Sequence, residues 1–426
     1  MKDQLLKFFK KIEPDKKKSP FLHTLYDGFF TFALVPDSVT KGKGVHVRDG
    51  MDLKRTMTMV VVAMLGSFVI GTYNIGHQHF LALGQYTGLM DGWYLKLAHG
   101  VIKFLPLYVV AMVVGLGIEF WYASKKGHGI EEGFLVSGAL IPLIMPPDIP
   151  LWILAFSVIF AVIIGKEAFG GTGMNILNVA LLSRAFIFFA YPTFISGDEV
   201  WVSGLEKIDG VYQSVQYGWA HHMFDAIFGW FGGDKFGAGG MAVVDGFSGA
   251  TPLSLAAKGG WEAVTQVYST SDMLWGLIPG SIGETAKPFI ILGGLFLIGV
   301  GIASWRIMLS MALGVAFTGI LFNMWGATPS MGVPWYDHFI MGGLLFAMAY
   351  MATDPVTGAS TPVGKLWYGF LIGFFGIVIR VFNPAYPEGW MLAILLMNVF
   401  APLIDHFVVQ SNINRRTKRA SKATAA

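Results

Sequence analysis

Ten long apolar stretches, each bounded by charged residues, glycine or proline, dominate this chain of 426 residues. A helix needs about 20 residues to cross about 30 Å of hydrocarbon, and each stretch reaches or approaches that length. Only 13% of the residues are charged, against about 25% in a soluble domain. The sequence therefore predicts an all-α integral membrane protein with about ten transmembrane helices. The stretches are 57–76, 102–122, 132–146, 150–167, 178–192, 287–303, 306–325, 337–353, 366–382 and 389–410.

The basic residues predict the orientation of these helices. Under the positive-inside rule, short loops rich in lysine and arginine stay in the cytoplasm. The rule places both termini inside and the long connection at about 193–286 outside, between the fifth and sixth helices. Because five is odd, two homologous halves would have opposite orientations, as in many transporters. The inner basic residues are Lys125, Lys126, Lys166, Arg306, Lys365, Arg415, Arg416, Lys418, Arg419 and Lys422.

A weak internal similarity favours two inverted halves. Leu151-Trp152 begins an aromatic and aliphatic run that resembles the run beginning at Leu366-Trp367. Such runs also align by chance, so both interpretations stay open. The predicted divisions are an N-terminal cytoplasmic segment, a first five-helix half, an extracytoplasmic loop, a second five-helix half and a basic cytoplasmic tail. Their bounds are 1–55, 56–192, 193–286, 287–410 and 411–426.

Three carboxylates lie within or at the edge of the predicted spans: Glu119, Asp354 and Asp405. A charge at the bilayer centre costs at least ~2.5–3.5 kcal/mol, so an acid retained there usually faces a protein interior or a cavity. All three lie toward the cytoplasmic third of their spans, where a side chain reaches the headgroups at little cost. An ion path and a helix-end acid are therefore both open interpretations for each residue.

A segment rich in glycine and asparagine, from Gly170 to Asn178, joins the fourth and fifth spans. Irregular backbone at membrane depth is tolerated where it is buried in protein or lines a cavity. Its exposed amides can then hold an uncharged polar ligand. A tight turn between two helices is the alternative interpretation. The segment 383–389 occupies the matching place in the second half, which favours a binding site slightly.

The chain has no cysteine, which excludes disulfides, thiolate-bound zinc and iron–sulfur clusters held by this chain alone. Any electron that it carries needs an organic cofactor. His77 and His79 form one close pair and His221 and His222 another, but neither has a third ligand at a recognisable spacing, so we predict no metal site. The net charge of +3, with basic residues at the two ends, gives no argument for binding nucleic acid.

The segment 245–251, in the long outer connection, is a glycine-rich loop with small residues around an accessible threonine. By spacing alone it is a common kind of turn. Together with other motifs it resembles the B subunits of the sodium-translocating NADH:quinone oxidoreductases, and the resemblance runs from near residue 20 to the basic tail. The other matching segments are 46–49, 52–55, 165–167, 169–173, 278–284, 301–306 and 383–389.

The resemblance implies a covalent FMN whose phosphate is esterified to Thr251, in a motif that includes Asp245, Ser248, Gly249 and Ala250. It implies ten helices in two inverted halves and a noncovalent riboflavin in the same chain. Electrons would flow from a partner subunit's flavin through FMN and riboflavin to quinone, coupled to outward sodium movement. The riboflavin contacts are a hypothesis of our own: Gly173, Asn175 and Asn178.

The resemblance also implies partners and an ion path. Glu119, Asp354 and Asp405 match acids that the family uses for sodium, although the same oxygen ligands carry protons equally well. The implied partners are the A, C, D, E and F subunits of a six-subunit complex, the lipid bilayer, quinone, and a flavin transferase during maturation. The implied location is the bacterial inner membrane.

Two other functions stay open at this point. The D subunit of the Rnf complex also carries a threonine-linked FMN and couples ferredoxin and NAD to ion movement, but its N-terminus is usually shorter than the leader at 1–55 here. A flavin-free channel or transporter for a small polar solute also uses inverted five-helix halves. A chain that stays fluorescent after denaturation would separate a flavoprotein from a channel.

Overall fold

The computed structural model describes residues 53–126, 133–196, 200–208, 211–214, 243–244, 247, 249–383 and 387–424, with isolated residues among the first 30. The chain is mainly helical over these residues. Before the long connection lie α1 (Leu53–Ala82), α2 (Trp93–Lys126), α3 (Phe134–Ile144), α4 (Leu151–Gly165) and α5 (Val179–Ala190). The connection contains an antiparallel ribbon of β1 (Leu205–Ile208) and β2 (Val211–Ser214), then α6 (Pro252–Val267) and α7 (Thr270–Trp275).

The helices after the connection form a second set. They are α8 (Lys287–Val300), α9 (Trp305–Trp325), α10, α11 (Pro362–Phe382) and α12 (Trp390–Thr424). α10 is α-helical over Leu344–Phe346 and π-helical over Ala347–Met351. α12 is one continuous helix, so the predicted basic tail is helical as far as Thr424.

Six of the described helices are long and apolar enough to cross a membrane: α1, α2, α4 with the short turn after it, α9, α11 and α12. α3, α5 and α8 are apolar but shorter. Proline and glycine end some of them early, since Pro146 and Pro147 follow α3 and a left-handed Gly301 follows α8. The all-α membrane fold is confirmed, whereas α3, α5, α8 and α10 are each too short to cross ~30 Å alone.

The two sets of helices share part of their packing order. α2 packs on α4 and α4 on α5, just as α9 packs on α11 and α11 on α12. Glycines let the backbones of α9 and α11 approach closely: a Cβ on Gly314 would overlap the carbonyl oxygen of Phe370, and one on Gly373 would overlap that of Met311. Small residues favour helix contacts in membranes for this reason.

The two sets share one hydrophobic core, which contains residues of both. α1 packs against α8, and the hydroxyl of Tyr350 in α10 donates to the carbonyl oxygen of Ala63 in α1 at 3.0 Å. The amide of Gly283, at the end of the connection, donates to the carbonyl oxygen of Leu143 at 2.7 Å. The second set therefore contacts α1 directly, and the end of the connection contacts α3.

Polar side chains of α1 and α2 hold the connection over one end of the bundle. Nδ1 of His79 lies 2.7 Å from the carbonyl oxygen of Ser203, and Nε2 of His99 lies 2.7 Å from the hydroxyl of the same serine. Nδ2 of Asn74 donates to the carbonyl oxygen of Ile278 at 2.8 Å. These bonds fix the connection near both of its ends and so place α6 above the helices.

Candidate functional site

A cavity of about 300 Å³ lies where the connection meets both sets of helices. We call it the Thr251 cavity. Its volume is at the lower end of the range of about 300–1,000 Å³ that is usual for sites of small organic ligands. The polar and aromatic residues that line it include Arg184, Trp201, Thr251, Lys258, Glu284 and Lys287.

Thr251 is the N-cap of α6, and its Oγ1 accepts a hydrogen bond from the amide of Ser254 at 3.2 Å. The hydroxyl of Tyr268 donates to the carbonyl oxygen of Ala250 at 2.8 Å and holds the turn before the helix. Burial raises the pKa of Tyr268, so it remains a donor at neutral pH. Because free amides and the helix dipole favour anions at a helix N-terminus, Thr251 is a suitable place for a phosphate.

The predicted FMN motif lies partly within the described residues. Gly249, Ala250 and Thr251 are described, with Ala250 buried and Thr251 partly buried at the cavity. Asp245 and Ser248 lie outside the described residues. The structure therefore places the threonine of the motif but not its acidic residue or its serine.

Charged residues that sequence reasoning did not assign to a site surround this threonine. Nη1 of Arg184 donates to Oε1 of Glu284 at 2.8 Å, and the hydroxyl of Ser281 donates to Oε2 of Glu284 at 2.6 Å. Burial raises the pKa of Glu284, and the guanidinium of Arg184 opposes that rise. Lys287 and Glu388 line the same cavity. Arg184 within an apolar run was a signal, but its partner stands 100 residues away in the sequence.

A second cavity, of about 90 Å³, lies between the two sets of helices. We call it the Asn178 cavity. Asn175 and Asn178 line it together with Asp354 and Lys166. Nδ2 of Asn178 donates to Oδ2 of Asp354 at 3.4 Å, and the side chain of Asn178 also caps α5. The fold thus brings both predicted asparagines to one acid of the other set, whereas Gly173 is exposed and lies outside this lining.

The size of the Asn178 cavity limits what it can hold. Its volume of about 90 Å³ is well below the range of about 300–1,000 Å³ for organic ligands. The amides of Asn175 and Asn178 suit an uncharged polar molecule in their chemistry. A tricyclic flavin ring does not fit within the walls as they stand.

Glu119 forms a buried ion pair with Lys166, and each side chain is only 5% exposed. Because Lys166 lines the Asn178 cavity, Glu119 lies directly behind one of its walls. Nearby, Lys126 forms a more exposed ion pair with Glu167 at 3.4 Å. Two of the three predicted ion-path acids, Glu119 and Asp354, are therefore associated with the same cavity.

Asp354 and Asp405 hold the two ends of one loop. Oδ1 of Asp354 accepts a hydrogen bond from the amide of Val356 at 3.0 Å. Oδ2 of Asp405 accepts from the amide of Ser360 at 2.6 Å, and its Oδ1 accepts from the amide of Thr361 at 3.0 Å. Asp405 therefore has a structural role at the start of α11, and its role in ion movement stays a prediction.

Two histidines, one in α1 and one in α2, contact the connection. The rings of His79 and His99 stack with centroids 4.1 Å apart, and both contact Ser203. Within the described part of the chain, no group of three or more His, Cys, Asp or Glu side chains is arranged to hold a metal ion. His221 and His222 lie outside that part.

Comparison with known proteins gives a family and several close relatives. The model of the NQR2, RnfD, RnfE family matches residues 40–414. A protein of Chromohalobacter salexigens, named as the B subunit of Na(+)-translocating NADH-quinone reductase, is 44% identical over 416 residues, which cover 93% of this chain and 91% of that protein. Proteins with the same name from Pseudomonas aeruginosa PAO1 and Klebsiella pneumoniae strain 342 are 42% and 40% identical, over 93% of this chain and 94% of each protein.

Proposed function

The chain belongs to the NQR2, RnfD, RnfE family, and from that premise we propose that it is the B subunit of a sodium-translocating NADH:quinone reductase in the bacterial inner membrane. In this proposal electrons pass from a partner subunit's flavin through FMN and riboflavin to quinone while sodium is exported. The observation that carries the flavin assignment is the position of Thr251, at the N-terminus of α6 and at a cavity of about 300 Å³.

The residues around Thr251 fit an FMN. Its Oγ1 would carry the phosphoester, and the N-terminus of α6 would stabilise the negative charge of the phosphate. Lys258, on the same helix and lining the same cavity, adds positive charge. FMN supplies one- and two-electron chemistry, and the protein sets its position and potential. Thr251 would then be an anchor for the flavin, and not an acid, base or nucleophile of turnover.

Riboflavin is the second flavin of the proposal, with Gly173, Asn175 and Asn178 as its candidate binding residues. The polar lining supports this assignment, whereas the volume of about 90 Å³ opposes it. Gly170, Gly171 and Gly173 all have positive φ angles, which glycine adopts without strain. A cavity of this volume does not fit a flavin ring, so no electron-transfer step is assigned to it.

Glu119, Asp354 and Asp405 form the proposed sodium path. Carboxylate oxygens are hard ligands suited to a hard cation, and an acid buried at membrane depth usually faces a cavity or a partner. Glu119 is buried against Lys166, and Asp354 lines the Asn178 cavity. Both observations support an interior route rather than acids that reach the headgroups.

We expect the replacement of Asp405 by asparagine to raise about tenfold the sodium concentration needed for half-maximal quinone reduction, which is a loss of about 1.4 kcal/mol in binding. Asparagine removes the charge but keeps an acceptor for the amide of Thr361. The sodium titration is made on the purified complex. Asp272→Asn, at an exposed capping box in α7, is the matched control. An unchanged titration in a folded Asp405→Asn complex would remove this acid from the path.

The proposed topology has ten membrane helices in two inverted five-helix halves, with the connection outside and both termini in the cytoplasm; six of them are long enough to cross alone, and α3, α5, α8 and α10 would cross together with their flanking segments. The part of the packing order that the two sets of helices share supports it. In each set the third helix is short and is followed by proline, at Pro146 in one set and at Pro355 in the other. The proposed partners are the A, C, D, E and F subunits, quinone, lipid, and a flavin transferase during maturation.

The covalent flavin tests the proposed function. The chain is expressed with and without a flavin transferase, run on a denaturing gel and imaged for flavin fluorescence, and free flavin in the denatured supernatant is quantified. We expect a fluorescent band only with the transferase, and riboflavin in the supernatant. A dark band, with the transferase shown to be active on another substrate, would contradict the flavoprotein and favour a solute channel.

The D subunit of the Rnf complex is the alternative within the same family, because the family description includes it. The two assignments differ in the electron acceptor. A purified complex that reduces quinone with NADH supports the quinone-reductase assignment, whereas one that exchanges electrons between ferredoxin and NAD supports the Rnf assignment.

A further inference from the structure

Lys287, the first residue of α8, is a lysine buried in the wall of the Thr251 cavity. It is 1% exposed. Its Nζ donates to the carbonyl oxygen of Glu284 at 2.5 Å and to that of Gly342 at 2.7 Å. Among the described residues, no carboxylate forms an ion pair with it. An ammonium has three hydrogen-bond donors, so one donor remains beyond these two carbonyl oxygens.

A buried charge is costly unless an opposite charge or several hydrogen bonds compensate it. The charged residues that line the cavity are Arg184, Lys258 and Lys287 against Glu284 and Glu388, which is three positive and two negative. Arg184 and Glu284 pair with each other at 2.8 Å. Lys258 is exposed, so the formal surplus of one positive charge lies at the surface of the cavity. Lys287 is buried, and the carboxylates of Glu284 and Glu388 attract it without forming an ion pair among the described residues. This arrangement indicates a site for an anionic group.

The position of Lys287 distinguishes it from the groups assigned to the phosphate. The phosphoester at Thr251 would lie at the N-terminus of α6, and Lys258 belongs to that same helix. Lys287 begins a different helix, in the second set, and contacts the loop at Gly342. We propose that Lys287 is a cofactor-binding residue whose ammonium stabilises negative charge on the redox-active ring of the flavin in this cavity. The proposal rests on the proposed function, because it needs the flavin at Thr251.

The ammonium of Lys287 should raise the midpoint potential of the covalent flavin. A flavin ring that takes up more electrons than protons gains negative charge, and a nearby fixed cation stabilises that state more than the oxidised one. In a site of low dielectric this interaction is stronger than in water. Removing the ammonium should therefore make the covalent flavin harder to reduce without detaching it.

The test compares Lys287→Met, which keeps the length of the side chain and removes its charge, with Lys287→Arg, which keeps the charge. Complexes are purified with the transferase present, and the flavin band on a denaturing gel and the midpoint potential of the covalent flavin are measured. We expect equal bands in all three proteins. In Lys287→Met the ratio of reduced to oxidised flavin at a fixed potential should fall about tenfold, a shift of about 30 mV for a two-electron couple, and Lys287→Arg should restore most of it.

Two results would overturn the proposal. One is a normal band with an unchanged potential in Lys287→Met. The other is a weakened band in Lys287→Met, restored in Lys287→Arg, with an unchanged potential, since that would assign the ammonium to the phosphate. If Lys287→Met does not assemble, Lys287→Gln, which can still donate to the carbonyl of Gly342, is measured in the same way. A dark band in the wild-type chain would be a failure of the proposed function itself.

Discussion

Replacing Thr251 by asparagine is expected to abolish the covalent flavin completely while leaving α6 folded. Asparagine has no hydroxyl to esterify, but it is among the best N-cap residues, so the hydrogen bond to the amide of Ser254 is retained. Thr251→Ala would also lose the cap, at about 1 kcal/mol. The measurement is flavin fluorescence on a denaturing gel, together with NADH-driven quinone reduction by the purified complex, which should fall to background.

Two controls make this result specific. Thr251→Ser keeps a hydroxyl and an N-cap at the same place and should remain fluorescent. Thr265→Ala removes a threonine of the same helix whose hydroxyl donates within α6, to the carbonyl oxygen of Glu262, and should also remain fluorescent. A fluorescent Thr251→Asn chain would show that the flavin is attached elsewhere.

Replacing Lys166 by methionine is expected to destabilise the chain by about 3–5 kcal/mol, because it leaves the carboxylate of Glu119 buried without its cation. Both side chains are 5% exposed. The measurement is the loss of folded chain in detergent during thermal unfolding. Lys126→Met is the matched control. In its ion pair with Glu167 the lysine is 38% accessible and the glutamate 6%, so water screens the pair from the side of the lysine and its loss should cost less than the loss of Lys166.

A double variant separates stability from ion movement at Glu119. Glu119→Leu combined with Lys166→Met replaces the pair by apolar side chains, which is often neutral for stability. We expect this chain to fold again but to lose the sodium dependence of quinone reduction. A double variant that folds and keeps normal sodium dependence would leave Glu119 with a structural role only.

The sequence predicted the site residues that lie close together along the chain. The segment around Thr251 was identified by its resemblance to a known family, and the structure places that threonine at a helix N-terminus beside a cavity. Asn175 and Asn178 were likewise predicted as a pair and line one cavity. Gly173 stands outside that lining although it is only two residues from Asn175, because its backbone turns outward with a φ of +88°.

The sequence did not predict the charged residues that meet at the Thr251 cavity. Arg184 lies within an apolar stretch, and its partner is Glu284 in the connection. Lys287 was only the boundary of an apolar stretch and proved to be buried at the Thr251 cavity. The lengths of α3, α5, α8 and α10 also differ from expectation. Hydropathy measures how apolar a stretch is, whereas glycine and proline decide where its helix ends.

By itself the sequence determined that this chain is a helical membrane protein and which threonine, asparagines and acids are candidate site residues. Hydrocarbon imposes its demand for apolar side chains on each helix separately, so that property is local and visible along the chain. Only the tertiary structure decided that Lys166 meets Glu119 and that Arg184 meets Glu284, across 47 and 100 positions. Packing brings such residues together, and buried charges persist only where packing supplies a partner.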